Sequence, residues 1–579
     1  MADASSKIVP LAPASEALGR QIAHSSGRKR MDVLLSKENA RSLIRALPTE
    51  DLYYLIKDVG LADAGLLVSM ATPEQFQGFV DLEAWEPHPE GAQLQTDRVL
   101  EWLEVVRDAD DEAYRPKLQS LDLEIIELIL RGGLHIVDRR EEEEAPRPPP
   151  RPGSEDLTWE TTPCGNFYVA YTEPDTTEGK ALRRMLDEIY AIDAFGAARL
   201  LSAVRVELDS ELSEAALQVR TARMEDLGFP PLELALGLYA RRDPKAELPA
   251  QPASPENVPG FQLAQLPAES FLQRAAGRVL GVGPRTHLDR ALLYLCNMAL
   301  VADRVPTHDD EAVRLTTARV HATLSLALEE LSGGDEAVAS GLLQERALKA
   351  LFQVGFTLGL DLQAALKRAL EGAGLGGEAL ASHFDEPERS GIEGLLQRRP
   401  VLARAVTEAH RRGWPGNPEA YLEEGEAPLG ELPEGYLPFS SLAQLALGRQ
   451  VVEMAGAAAR LLGAGGALHL EAHEEDETSP ALAARIATLL CARAAGREGG
   501  LAPLTPEEAS RGLAALFAPD GALVLEPWRT LAAELTGEDE GARRMVARAF
   551  ARLVAEVRPV YLAGDTPDPR FLPLLWLVD

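Results

Sequence analysis

The sequence predicts a mainly α-helical, multi-domain protein, an N-terminal layer of stacked short helices followed by helical lobes with minor β content. Three observations carry this expectation. Helix-start signals recur at Thr49, Thr72, Thr96 and Ser120, with separations of 23, 24 and 24 residues. The chain is 46% hydrophobic but only 5% aromatic, so its cores rest on Leu, Ala and Val, a palette that favours helix over strand. Charged and proline-rich stretches at 140–157 and 244–266 cannot bury a core, and they divide a chain of 579 residues.

Residues 1–30 read as a flexible tail and 31–139 as the repeat-like helical domain. A Ser or Thr oxygen accepts a bond from an unpaired N–H in the first helical turn. Thr72-Pro73-Glu74-Gln75 is the clearest case, with Thr as cap, Pro at the first helical position and Gln at the capping-box position. Ten residues beyond the four signals stand Val59, Leu82, Val106 and Leu130, and six beyond stand Leu55, Gly78, Trp102 and Ile126, so both columns share a helical face. Units this short must stack to bury that face. Leu55, Val59, Leu82, Leu103, Val106 and Leu130 are expected inward. The competing reading is chance spacing of two common residue types.

Glu141 to Glu144, followed by Pro146, Pro148, Pro149, Pro150 and Pro152, marks residues 140–157 as a linker; a proline-rich docking peptide is the alternative. Residues 158–243 form a small α+β or helical domain, with a strand at Phe167–Tyr171 bounded by Gly165-Asn166 and Pro174. A Pro-rich linker occupies 244–266. A helical lobe at 267–412 carries helices over 286–304, 309–331 and 336–371, the last broken near Gly355 to Asp361. A Pro/Gly/Glu-rich connection at 413–438 leads to the C-terminal helical lobe, 439–579, with helices at 439–462, 480–495, 506–517 and 541–557.

The stretch Ala46-Leu47-Pro48-Thr49-Glu50-Asp51-Leu52, continuing to Ala71-Thr72-Pro73-Glu74-Gln75-Phe76, resembles the cytosolic N-terminal helical superhelix of the magnesium transporter E family over residues 40–130. In that family the acidic superhelix senses divalent cations, so the resemblance implies a cation-responsive role. It implies no transport, because no membrane domain follows. Most of the chain also resembles an uncharacterised family of long acidic bacterial proteins, a likeness that implies no activity.

Net charge is −33, from 91 acidic and 58 basic residues. Such a surface repels the phosphate backbone and anionic membranes alike. Protein partners with a basic surface are expected, with no nucleic acid and no membrane; divalent cations are possible partners, with non-specific binding the expectation. Residues 1–20 lack the apolar core of a signal peptide, and no apolar run approaches a membrane span, so a soluble cytoplasmic protein is expected.

The residues assign no catalytic, cofactor-binding or metal-ligating set. Cys164, Cys296 and Cys491 lack metal spacing, and the last two sit in apolar runs as small hydrophobes. His469 and His473 are four apart, yet Leu470 and Ala472 stand where zinc-protease motifs need glutamate, so a solvated turn is the expectation. His321 reads as a satisfied, semi-buried histidine, and convergence of His287, His308 and His321 is not implied by their positions. Gly281-Val282-Gly283 precedes Pro284 without a Lys-Ser or Lys-Thr pair and reads as a helix stop. Trp85 and Trp102 are the candidate interaction anchors, the alternative being that they fill the core. The leading expectation is a non-enzymatic interaction scaffold or regulatory adaptor. The alternatives are a divalent-cation-responsive regulator using acidic faces of the first domain, and an enzyme with an unrecognised site in the C-terminal lobes.

Overall fold

A computed structural model describes residues 27–88, 91–141, 158–252, 266–373, 376–414, 431–463, 465–470, 480–519, 521–537 and 539–578. Helix outweighs strand, 66% to 6%, in keeping with the mainly helical class. The N-terminal layer is built from α1 (Gly27–Leu35), α2 (Ala40–Ala46), α3 (Thr49–Val59), α4 (Gly65–Met70), α5 (Pro73–Glu83), α6 (Thr96–Ala109), α7 (Asp111–Leu118) and α8 (Leu123–Gly133). Thr72 caps α5 with a complete capping box. The other three signals mark helix starts without capping them through their side chains. Pro48 takes the cap position of α3, Gln95 that of α6 and Asp122 that of α8, each displacing the hydroxyl residue by one or more places. All six expected inward residues are buried.

Two short antiparallel pairings interrupt the helices. A hairpin joins β1 (Trp85–His88) to β2 (Gly91–Leu94). At the end of α8 the chain leaves helix at once for β3 (Leu134–Asp138), within the stretch expected to be helical. That strand pairs with β5 (Phe167–Tyr171), Ile136 opposite Val169, and β4 (Glu160–Thr161) pairs on the far side of β5. The expected strand is thus the centre of a three-stranded sheet.

The sheet spans the 140–157 segment, most of which lies outside the described residues. It is followed by α9 (Thr177–Ile192), α10 (Ala194–Val206) and α11 (Asp209–Asp226). Buried residues from Leu34 to Phe229 form one continuous first core. The expected units 31–139 and 158–243 therefore share a core.

A second core runs from Ala235 to Val354. It collects α12 (Leu232–Leu236), α13 (Phe271–Gly277), α14 (Val282–Asp303), α15 (Asp310–Ser332), α16 (Glu336–Glu345) and the first half of α17 (Leu348–Ala373). The helix expected over 336–371 breaks at Arg346-Ala347, not near Gly355. There the backbone turns to meet residues 249–251: Gln251 N–H donates to the Glu345 carbonyl (2.9 Å) and Ala347 N–H to that of Pro249 (2.9 Å). So part of the expected 244–266 linker is pinned, while 253–265 lies outside the described residues. Gly355 serves close packing instead, since a Cβ there would stand 2.2 Å from the Thr323 carbonyl oxygen on α15.

The second half of α17 enters a third core with α18 (Gly377–Ser382), α19 (Glu388–Leu396), α20 (Arg404–Arg411), α21 (Leu442–Leu462), α22 (Leu482–Ala494), α23 (Pro506–Leu516), α24 (Leu525–Thr536) and α25 (Glu540–Leu562). The expected lobe 267–412 is thus split between two cores. Its connection to the last lobe is bridged by β6 (Leu402–Ala403) pairing β7 (Tyr436–Leu437). Among the described residues no helix is long and apolar enough to cross a membrane.

Candidate functional site

A cleft of about 600 Å³ opens where the first and second cores meet. The helix α14 serves both cores, Leu300 facing the first while Leu292 and Leu295 face the second. Three chain turns complete the walls. Pro48, Glu50 and Asp51 arrive on the first turn of α3, where the helix dipole favours acids. Gly228, at φ +82°, turns the chain off α11 in a left-handed conformation that suits glycine. Ala347-Leu348-Lys349 come from the break before α17, held there by the Gln251 side chain, which accepts from Leu348 N–H at 3.1 Å.

The cleft is lined by Leu227, Leu234, Leu293 and Met298 together with polar groups that include Glu50, Asp51, Arg290 and Asn297. Asn297 is 2% exposed and its Nδ2 finds no hydrogen-bond partner among the described residues. Asp51 Oδ2 is likewise buried without one. Burial, then the nearby carboxyls of Asp289 and Glu50, push the Asp51 carboxyl well above the usual carboxylate range, against the pull of Arg30 and Arg290. Burial also raises Glu50, opposed by a backbone hydrogen bond and by Arg290. Burial and mutual repulsion disfavour ionisation of these carboxyls together, and Arg30 and Arg290 offset that only in part. An unmet buried polar group costs about 1–3 kcal/mol, so a ligand that satisfies Asp51 and Asn297 binds with a gain the closed protein lacks.

The candidate anchors lie inside the first core, away from this cleft. Trp102 is 1% exposed, stacked on Tyr53 at 6.0 Å and against Phe79 at 5.4 Å. Trp85 is 2% exposed, with the Arg220 guanidinium 5.2 Å from its ring centre. Neither presents a surface to a partner, because both rings are core filling.

The three histidines of the middle region face different neighbours. His287 lines the cleft, His308 lies 3.4 Å from Glu86, and His321 is buried 4.0 Å from the Cys296 sulfur. Burial lowers His321 to about 4 and raises the thiols of Cys296 and Cys491 to about 12. His469 Nδ1 lies 2.9 Å from the Leu462 carbonyl oxygen; His473 lies outside the described residues. Gly281 opens α14, at φ +89°, so the glycine pair starts a helix where a stop was expected. Among the described residues no group of three His, Cys, Asp or Glu side chains is placed to hold a metal ion.

In the C-terminal lobe His383, Asp385 and Glu388 gather beside Arg548 and Arg552 around a cavity of about 40 Å³. Its carboxylates are already engaged. Trp414 Nε1 donates to Glu388 at 3.0 Å, and Arg548 and Arg552 pair with Glu388 and Asp385. This volume is far below the roughly 300–1,000 Å³ of ligand sites.

The sequence showed the acids at positions 50 and 51 only as helix-start residues. Their meeting with Asn297 spans more than two hundred positions and left no local signal.

No curated protein and no solved structure matches the chain. The likeness of residues 40–130 to the magnesium transporter E superhelix gains no support from these comparisons. One family model matches residues 7–416, a span that holds the first two cores and the whole cleft. The chain belongs to that family, a family of unknown function (DUF6178).

Proposed function

We propose that the chain is a cytoplasmic, non-enzymatic regulatory adaptor that takes a small apolar molecule with one cationic group into the cleft between its first two cores. The observation that supports this reading is an apolar wall beside Asp51 Oδ2, which is buried and has no hydrogen-bond partner among the described residues; Asn297 Nδ2, also without one there, offers a donor to any acceptor on the ligand. An ammonium group beside Asp51 relieves the mutual repulsion of Asp51, Glu50 and Asp289. The apolar body of the ligand covers Leu227, Leu234 and Met298. Because α14 belongs to both cores, an occupied cleft stiffens their seam, and that is how an adaptor passes a binding event to a partner.

The test compares n-hexylamine with n-hexanol by thermal shift and calorimetry at pH 7.5 and constant ionic strength. A saturable rise in Tm with the amine, at least tenfold weaker with the alcohol and equally weakened by Asp51→Asn, is expected. Equal response to both probes, or an unchanged response in Asp51→Asn, overturns the reading.

A further inference from the structure

A second recess lies on another face of the first core, between α8, α9 and α10. It encloses about 510 Å³, and its walls are Leu123, Ile126, Ile189, Ile192, Ala197 and Leu200. Most of these are aliphatic, yet Glu127 stands among them. It is 5% exposed, and no described residue hydrogen-bonds to it or pairs with it. Arg199 also lines the recess but does not reach Glu127. The charges that act on Glu127 are those of Glu207 and Glu124, both of its own sign.

The helices that wall the recess also carry exposed apolar residues. Leu123 is 56% exposed, Phe195 86%, Val206 72% and Leu208 57%. These residues mark the start of α8 and both ends of α10. From Phe195 to Val206 the helix rises by about 16 Å, the length of roughly three turns of a partner helix. Exposed apolar side chains at the start of α8 and at both ends of α10, with an acid in the recess between these helices, describe a surface that a complementary one can cover.

We infer that the recess between α8, α9 and α10 is a docking groove for a cationic amphipathic helix of a partner protein, whose Lys or Arg enters between apolar residues and pairs with Glu127. Charge selects this occupant. A buried, unpaired carboxylate is expensive and is stabilised when a basic group reaches it. Glu124 and Glu207 add to the negative field, and the chain as a whole carries −33. An anionic lipid surface meets its own sign at Glu124, Glu127 and Glu207, and is repelled. With no partner bound, burial and the two neighbouring acids hold the Glu127 carboxyl up at about 7, so the groove is poised to ionise when the cation arrives.

The test pans a display library of amphipathic helices, polar faces randomised, against the full chain. Expected is enrichment of one Lys or Arg inside the apolar stripe. Affinity for the enriched peptides should fall at least tenfold on Glu127→Gln and also on Leu123→Asp. Both variants should keep the parent's far-ultraviolet spectrum. A Glu127→Lys chain should instead select Asp or Glu at that position. Peptides without a basic residue in the stripe, or binding unchanged by Glu127→Gln, overturn the inference. So does sedimentation with phosphatidylglycerol vesicles that Leu123→Asp abolishes, which assigns the face to a membrane.

Discussion

Arg223 grips Asp81 with two hydrogen bonds, Nε to Oδ2 at 2.6 Å and Nη2 to Oδ1 at 2.9 Å, and the Asp81 side chain has no exposure at all. The same guanidinium reaches Asp122 at 3.0 Å and 2.5 Å. One residue on α11 thereby holds α5 and the start of α8, elements that precede it by a hundred positions or more. Gln77 completes the set, donating to Asp81 Oδ1 at 3.2 Å and accepting from Asp122 N–H at 3.0 Å.

Arg223→Ala should therefore cost about 3–5 kcal/mol, the penalty for stranding a buried carboxylate. Arg223→Ala with Asp81→Leu should recover part of that loss, because the fully buried carboxylate is then gone and the charge left without its partner, Asp122, is partly exposed. Urea denaturation measures both. A single-variant loss below about 1 kcal/mol would show that the pair is solvated and no clamp.

The shared first core makes a prediction about cleavage. A protease should cut first between Glu141 and Glu155, where charge and proline deny the backbone the pairing that protects it. The two pieces should nevertheless co-elute in native size exclusion, held by β3 against β5 and by Arg223, and separate only in denaturant. Separation in native buffer would mean that two independent domains flank the cut.

Glycines in neighbouring helices should respond in opposite directions. Gly355→Ala forces a methyl group to 2.2 Å from the Thr323 carbonyl oxygen and should destabilise by about 1–3 kcal/mol or more. Gly341→Ala in α16 meets nothing within 4 Å and should stabilise by about 0.5–1 kcal/mol, the helix preference of Ala over Gly. Melting both variants beside the parent checks the contrast.

His321 should weaken the protein in mild acid. Its folded value near 4 lies below the ordinary 6.5, because burial disfavours the charged ring. Below about pH 6.5 the unfolded chain takes up a proton that the folded chain refuses, so stability falls as pH drops from 6.5 toward 4 and is unaffected above that window. The Tm difference between His321→Gln and the parent should shift in favour of the variant between pH 7.5 and pH 5. A difference constant over that range would show a solvated, titrating ring.

Helix class, the six inward positions of the N-terminal layer, the capping box at Thr72 and the strand at Phe167–Tyr171 were all legible in the chain itself. Each depends on side-chain chemistry over a few residues: a hydroxyl beside free N–H groups, apolar spacing at the helical period, β-branched and aromatic residues between turn formers. What tertiary structure decided has no such local cause. Leu134–Asp138 was expected to stay in the helical layer, and is strand because it finds its hydrogen-bond partners along β5, on the far side of the 140–157 segment. The break at Arg346-Ala347 exists because residues 249–251 claim its backbone groups, and Gly355 stays helical because α15 presses too close for a side chain. The division into cores followed packing between residues on either side of the charged segments, so composition did not mark where one core ends. Likewise the acids at positions 50, 51 and 127 read as ordinary surface charge in a chain of −33. Only the arrival of α14 beside the first pair, and of α9 and α10 around the last, removed water from them and made them the most chemically distinctive carboxyls of the two recesses.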